Sequence, residues 1–259
     1  MANIIYYIVV ALLGLIAGSF LNVCIVRLPK EESVVVPRSH CPYCENTIRF
    51  YDNIPIFSYI SLKGRCRACG LPISLRYPIV EALTASLFVL LAVSFKGFVL
   101  AAYIIFVCGL IVASFVDLAH EIIPDEVSLY GIIAGILLSV IFPSLQHVST
   151  HMQGLRASLF GALVGAGLIY GIGILGKLIF RKESMGFGDV KFMAAIGSFL
   201  GPEKAVLVFF LAPCFGIIFG LIARIRYQKE YIPYGPFLSL AALACVFINV
   251  SLRDIFWRV

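Results

Sequence analysis

Two sets of side chains in this sequence have the types and spacing to do chemistry: four cysteines in two close pairs, and two aspartates at the ends of apolar runs. Cys41-Pro-Tyr-Cys44 and Cys66-Arg-Ala-Cys69 are C-x-x-C pairs with 21 residues between them. Thiolates at this spacing on a tight knuckle turn bind one ion together, and two knuckles supply the four ligands of a tetrahedral zinc site. Four cysteines leave no open coordination position, so such an ion folds its loop rather than catalyses. Arg38, Lys63, Arg65 and Arg67 stand where they would offset the charge of four thiolates. Two disulfides are the main rival, disfavoured if the loop faces a reducing cytoplasm, and a metal-free thiol cluster is the third reading. His40, beside the first ligand, is expected near the site or exposed, not as a fifth ligand. Cys24, Cys108, Cys214 and Cys245 sit singly in apolar runs, where cysteine behaves as a small hydrophobe.

Carboxylates within apolar spans are costly and ask for a reason. Asp117 ends an apolar run and is followed by Glu121 and by Ile123-Pro124-Asp125; Asp189 lies in Gly186-Phe-Gly188-Asp189-Val-Lys191, where a flexible turn passes into an apolar helix. Two carboxylates close together in a low-dielectric site cannot both ionise. The pair can then take a proton from water with one member while the other protonates a carbonyl oxygen, which is amide hydrolysis by an aspartic dyad. Gly186 and Gly188 would let an extended peptide approach the carboxylate. Asp125 and Glu126 read as helix-capping or solvated residues. Glu81 is divided between an ion pair with Arg76 and a substrate contact. No serine nucleophile competes, because the four histidines fall in turns and no G-x-S-x-G motif is present.

The elements that must position these groups are membrane helices. The chain has 259 residues, 61% of them hydrophobic and 13% charged, with a mean hydropathy of +1.01; soluble domains are roughly a quarter charged. The predicted fold class is an all-α polytopic membrane protein with about eight transmembrane helices and a zinc-binding cytoplasmic loop between helices 1 and 2. Apolar stretches run over 4–26, 78–95, 98–118, 123–143, 157–180, 190–200, 203–223 and 234–252, the sixth being short for a span. No Lys or Arg precedes the first run and basic residues follow it, which predicts a retained span rather than a signal peptide. The organisation expected is a first transmembrane helix over 1–28, a zinc-binding loop over 29–77 and a seven-helix membrane domain over 78–259. With that loop inside the cell, fifteen of the twenty Lys and Arg fall on the cytoplasmic side. Both aspartates then lie at cytoplasmic helix ends. Glycines at 161, 165, 167, 171, 173 and 176 predict a close-packing helix face. The net charge of +6 marks this sidedness, not nucleic-acid binding.

Taken together, Gly18-Ser-Phe-Leu-Asn22 through Arg27-Leu-Pro29, the paired knuckles, Asn53-Ile-Pro55, Arg76-Tyr-Pro-Ile-Val-Glu81, Asp117 through Asp125, Gly186 through Lys191 and Tyr234-Gly-Pro236 resemble the bifunctional prepilin leader peptidases/N-methyltransferases of bacterial type IV pilus and type II secretion systems. The resemblance covers almost the whole chain. It implies an intramembrane aspartic endopeptidase of the bacterial inner membrane, with Asp117 and Asp189 as the catalytic pair, acting at the cytoplasmic side. Its partners would be the bilayer and prepilin and pseudopilin substrates, whose basic leader is cleaved after glycine. S-adenosylmethionine-dependent methylation of the new terminal amine would follow. No glycine-rich fingerprint marks the methyl-donor site; Asn22, Arg27, Arg76 and Glu81 are its candidates. The alternative is an ion- or proton-coupled transporter using Asp117, Glu121 and Asp189, although neither an inverted repeat nor midplane carboxylates are evident. A third reading is a non-enzymatic assembly factor docked through the zinc loop.

Overall fold

The computed structural model describes residues 2–181, 186–227 and 233–248. Lys182, Lys229, Arg253 and Arg258, counted above for orientation, lie outside the described residues, as does the end of the last apolar stretch. Regular structure among the described residues is helical: α1 (Ala2–Arg27), α2 (Phe57–Ser61), α3 (Arg76–Ser94), α4 (Gly97–His120), α5 (Asp125–Ile141), α6 (His151–Phe180), α7 (Phe187–Tyr227) and α8 (Gly235–Phe247). Five stretches are long and apolar enough to cross a bilayer: Asn3–Lys30, Arg76–Ser94, Gly97–His120, His151–Ile179 and Phe187–Ile217. The expectation of eight spans is therefore met only in part. The helices α5 and α8, with 17 and 13 residues, are shorter, and the apolar stretches at 190–200 and 203–223 are arms of the single element α7.

The chain forms two units, Met1–Leu100 and Ala101–Val259. In the first, α1 and α3 pack backbone to backbone. A Cβ on Gly14 would lie 2.6 Å from the Ala85 Cα, and one on Gly18 would lie 2.7 Å from the Glu81 Cα. Small residues four apart thus bring the helices together. The α3 helix, assigned by composition to the membrane domain, belongs to this unit. Between the two helices the loop carries α2 and the knuckles.

In the second unit the glycine face of α6 packs on α7. Gly161 meets the Gly197 carbonyl and Gly165 that of Met193, whereas Gly167 and Gly171 face open space. Phe106 of α4 stacks on Phe199 of α7, ring centroids 4.7 Å apart. At Gly201 the backbone leaves the helical region (φ 80°, ψ 173°) ahead of Pro202. A residue before proline is driven away from helical geometry, and proline offers no N–H to the carbonyl four residues back. That carbonyl, on Ser198, instead accepts from Ser158 Oγ at 2.7 Å and Gln146 Nε2 at 2.9 Å. Gln146 Nε2 also donates to the Phe199 carbonyl at 3.1 Å. Within a bilayer, orphaned backbone groups require such partners. As one straight helix, α7 would hold Asp189 and Gly216 about 40 Å apart. Yet Asp189 is within electrostatic reach of Tyr234, and Gly216 packs on Phe237. The chain therefore turns back at Gly201, and the second arm runs along α8, where Lys204 lies within electrostatic reach of the Cys245 position.

Candidate active site and metal centre

Two helix ends in the second unit carry the carboxylates within electrostatic reach of each other, and a third helix end meets one of them. Asp117 lies in the last turn of α4 and Asp189 in the first turn of α7; they are 4% and 7% exposed. The charge of Asp117 reaches Asp189. The third end is the start of α8, whose Gly235 N–H donates to Asp117 Oδ2 at 2.7 Å. A helix N-terminus carries partial positive charge and unpaired N–H groups, so it suits a carboxylate partner. A Cβ at Gly235 would sit 2.8 Å from that same oxygen, so only glycine leaves room for the contact. Pro236 at the first positions of α8 is the local signal that a helix starts there. Tyr234-Gly-Pro236 is part of the family resemblance, but the sequence alone assigns it no role.

The Gly186–Lys191 turn is docked onto the segment that follows α4. Gly188 sits against Ile123, and Lys191 Nζ pairs with both oxygens of Asp125 at 2.7 and 2.9 Å. Asp125 therefore does not cap α5, as expected from its position; Pro124 occupies the cap with no side-chain hydrogen bond. Its partner is a basic residue of the other aspartate's motif. If this pair of carboxylates is catalytic, Gly235→Ala should lower the rate of the reaction by on the order of tenfold or more, since a Cβ there displaces the carboxylate from its preorganised donor. Steady-state assays on protein shown to be inserted would check this, and an unchanged rate would remove Gly235 from the site.

In the first unit the two knuckles share one geometry. The Cys41 N–H donates to the Asn46 carbonyl and the Cys66 N–H to that of Leu71. Glu45 and Gly70, each just after a pair, take left-handed φ of 56° and 70°. The four sulfurs lie within 4.8 Å of one another, and those of Cys41 and Cys69 are 3.9 Å apart. Tetrahedral ligation at Zn–S bonds of about 2.3 Å places sulfurs about 3.8 Å apart, so the Cys₄ cluster fits a zinc site. The described cysteines form no disulfide. Donation from the Cys69 and Ala68 N–H groups pulls the Cys66 thiol down to about 7. Cys69 receives the Leu71 N–H, yet lost hydration and the neighbouring sulfurs push it up to about 11. Four thiols so close cannot all ionise without a cation between them. Arg67, expected to offset that charge, is instead paired with Asp52 at 2.7 Å. His40 Nδ1 contacts the Arg38 carbonyl.

The four methyl-donor candidates also lie in the first unit, each engaged with the protein's own backbone or rings. Asn22 Nδ2 donates to the carbonyls of Gly18 and Tyr77 at 3.2 and 3.1 Å. Arg27 donates to those of Ser33 and Pro37 at 2.8 and 2.7 Å. Glu81 Oε2 accepts the Ile56 N–H at 2.7 Å, where Ile56 holds a φ of 59° that a β-branched residue rarely adopts. Arg76 stacks over Tyr77 at 5.3 Å and forms no ion pair with Glu81 among the described residues. Asn22 Oδ1 and Arg76 Nε are buried without a partner. Of the four residues, Arg27 lines the cleft beside α1, and Glu81 is the one carboxylate that could face the donor's sulfonium.

Comparison with known proteins follows the same division. Residues 12–95 match the Bacterial Peptidase A24 N-terminal domain, and residues 104–221 match the Type IV leader peptidase family. The chain is 37% identical to the "Type 4 prepilin-like proteins leader peptide-processing enzyme" of Escherichia coli O78:H11, over 91% of each chain. It is 38% identical to a "Prepilin leader peptidase/N-methyltransferase" of Myxococcus xanthus, over 81% of this chain and 61% of that protein. A protein of that same name from Aeromonas salmonicida is 34% identical over 91% of this chain and 88% of its own. No solved structure matches.

Proposed function

Because the chain belongs to the type IV leader peptidase family, we propose that it removes the leader of prepilins and pseudopilins at the cytoplasmic face of the bacterial inner membrane, with Asp117 and Asp189 as an aspartic dyad. The observation that supports the reading is that two buried carboxylates lie at helix ends within electrostatic reach of each other, one of them held by the Gly235 N–H. One carboxylate takes a proton from water as the oxygen attacks the scissile carbonyl carbon, and the other gives its proton to the carbonyl oxygen. Collapse of the resulting diol breaks the C–N bond, and the proton taken from water passes to the leaving amine. The glycines around Phe187 leave an extended backbone room to approach. The bias of basic residues supports the cytoplasmic side. The Cys₄ site holds structural Zn²⁺ in this reading. Nothing in the fold or in the relatives favours the transporter alternative. Incubating the purified protein in detergent with a prepilin and weighing the products tests the proposal; an intact substrate, with the enzyme folded, would overturn it.

The same reading includes methylation of the new terminal amine, in the order that chemistry requires. The acceptor amine does not exist until the leader is cut, and methyl transfer calls for a neutral amine rather than a pair of carboxylates. Asp189→Asn should therefore still methylate an already cleaved pilin while leaving uncleaved prepilin unmethylated, as read by tritiated methyl incorporation. Incorporation into neither substrate would place both activities at one site or leave only the peptidase.

A further inference from the structure

An open cleft of about 850 Å³ lies between one side of α1 and the loop ahead of and behind the first knuckle. Its lining includes Arg27, Arg38 and Arg49 but no Asp or Glu. None of the three arginines is ion-paired among the described residues; Arg49 donates to Tyr51 Oη and lies within electrostatic reach of Asp52, whose carboxylate is paired with Arg67. The other wall is Ile16, Phe20 and Val23 of the membrane span. A second cleft of about 590 Å³ continues from it, sharing Ile16, Asn53 and Pro55 and adding Leu12, Leu15 and Phe57. One end of this combined groove is cationic; the other is apolar and runs along a transmembrane helix. The loop beside it exposes apolar side chains that a water-facing loop would bury, with Phe50 87%, Val35 79% and Phe57 66% exposed.

We propose that this groove binds one anionic phospholipid, its phosphate met by Arg38 and Arg49 and its acyl chain laid along Ile16 toward Leu12 and Phe57. Charge complementarity selects this occupant. A basic leader peptide and the sulfonium of S-adenosylmethionine are both repelled by three arginines in a lining that contains no Asp or Glu. A free phosphate would leave the apolar continuation unused. Juxtamembrane basic residues attract anionic headgroups, and the acyl chain adds stabilisation with each methylene buried. The site goes beyond the peptidase reading and does not depend on it. Arg27 is not a probe, because its guanidinium holds the loop at Ser33 and Pro37.

The experiment is native mass spectrometry of the full-length, delipidated protein titrated with phosphatidylglycerol or phosphatidylcholine. Wild type should retain one phosphatidylglycerol per chain in preference to phosphatidylcholine. The Arg38→Ala/Arg49→Ala pair should bind phosphatidylglycerol on the order of tenfold more weakly or worse. The double lysine variant should recover most of the affinity, and Lys63→Ala, outside the groove, should match wild type. Metal content, unchanged in every variant, reports that the loop is folded. Equal binding by the double alanine variant, equal retention of phosphatidylcholine, or displacement by S-adenosylmethionine or by millimolar inorganic phosphate would each overturn the proposal.

Discussion

Asp117→Asn and Asp189→Asn are each expected to cut a prepilin at least about a thousandfold more slowly than wild type, at the upper end of what a positioned acid or base contributes. An amide at either position can neither accept the proton from water nor return one to the carbonyl oxygen, so the shared-proton chemistry fails from both sides. The loss should be catalytic, not structural. Replacing one buried carboxyl group by an amide of the same size leaves the packing in place, and the amide oxygen that Asp117→Asn introduces can still accept the Gly235 N–H. Asp125→Asn is the contrast. Asp125 is exposed, and its partner Lys191 lies on the turn that carries Asp189. An exposed ion pair is worth about 0–1 kcal/mol, so this variant should lose no more than several-fold. Cleavage rates from mass spectrometry, on protein whose insertion and abundance match wild type, decide the matter. Wild-type cleavage by Asp117→Asn would sink the dyad.

Removing the metal is expected to have the second large effect. Purified protein should carry about one Zn²⁺ per chain, as a Cys₄ site requires. The Cys41→Ser/Cys44→Ser variant should lose it and become open to protease within residues 29–77. The reason is the size of that loop: it holds one five-residue helix, two short 3₁₀ turns and two isolated bridges, with no core of its own. Structural zinc is worth about 10–16 kcal/mol in small zinc-folded peptides. The Arg67–Asp52 pair on its surface offers at most about 1 kcal/mol, far too little to replace it. A metal-free wild type with a protected loop would refute the folding role.

Both candidate sites are legible in the sequence because each is announced by local chemistry. Cysteines two apart form a knuckle by chain geometry alone, and an aspartate at the end of an apolar run is conspicuous through the cost of putting it there. Composition was sufficient to show a helical membrane protein, and the family resemblance rested on motifs readable one at a time. Tertiary structure decided what those motifs touch. The Asp117 carboxylate accepts from Gly235, 118 positions away; Glu81 holds Ile56 rather than Arg76; Asp125 pairs with Lys191 instead of capping a helix. The two apolar stretches at 190–200 and 203–223 read as separate spans, but their reversal at Gly201 becomes visible only through what Asp189 and Gly216 meet near α8. The apolar pattern could place α3 in the bilayer but could not assign it to α1, because in lipid every helix face is apolar and the choice of neighbour falls to close contacts such as Gly14 on Ala85, which no periodicity records.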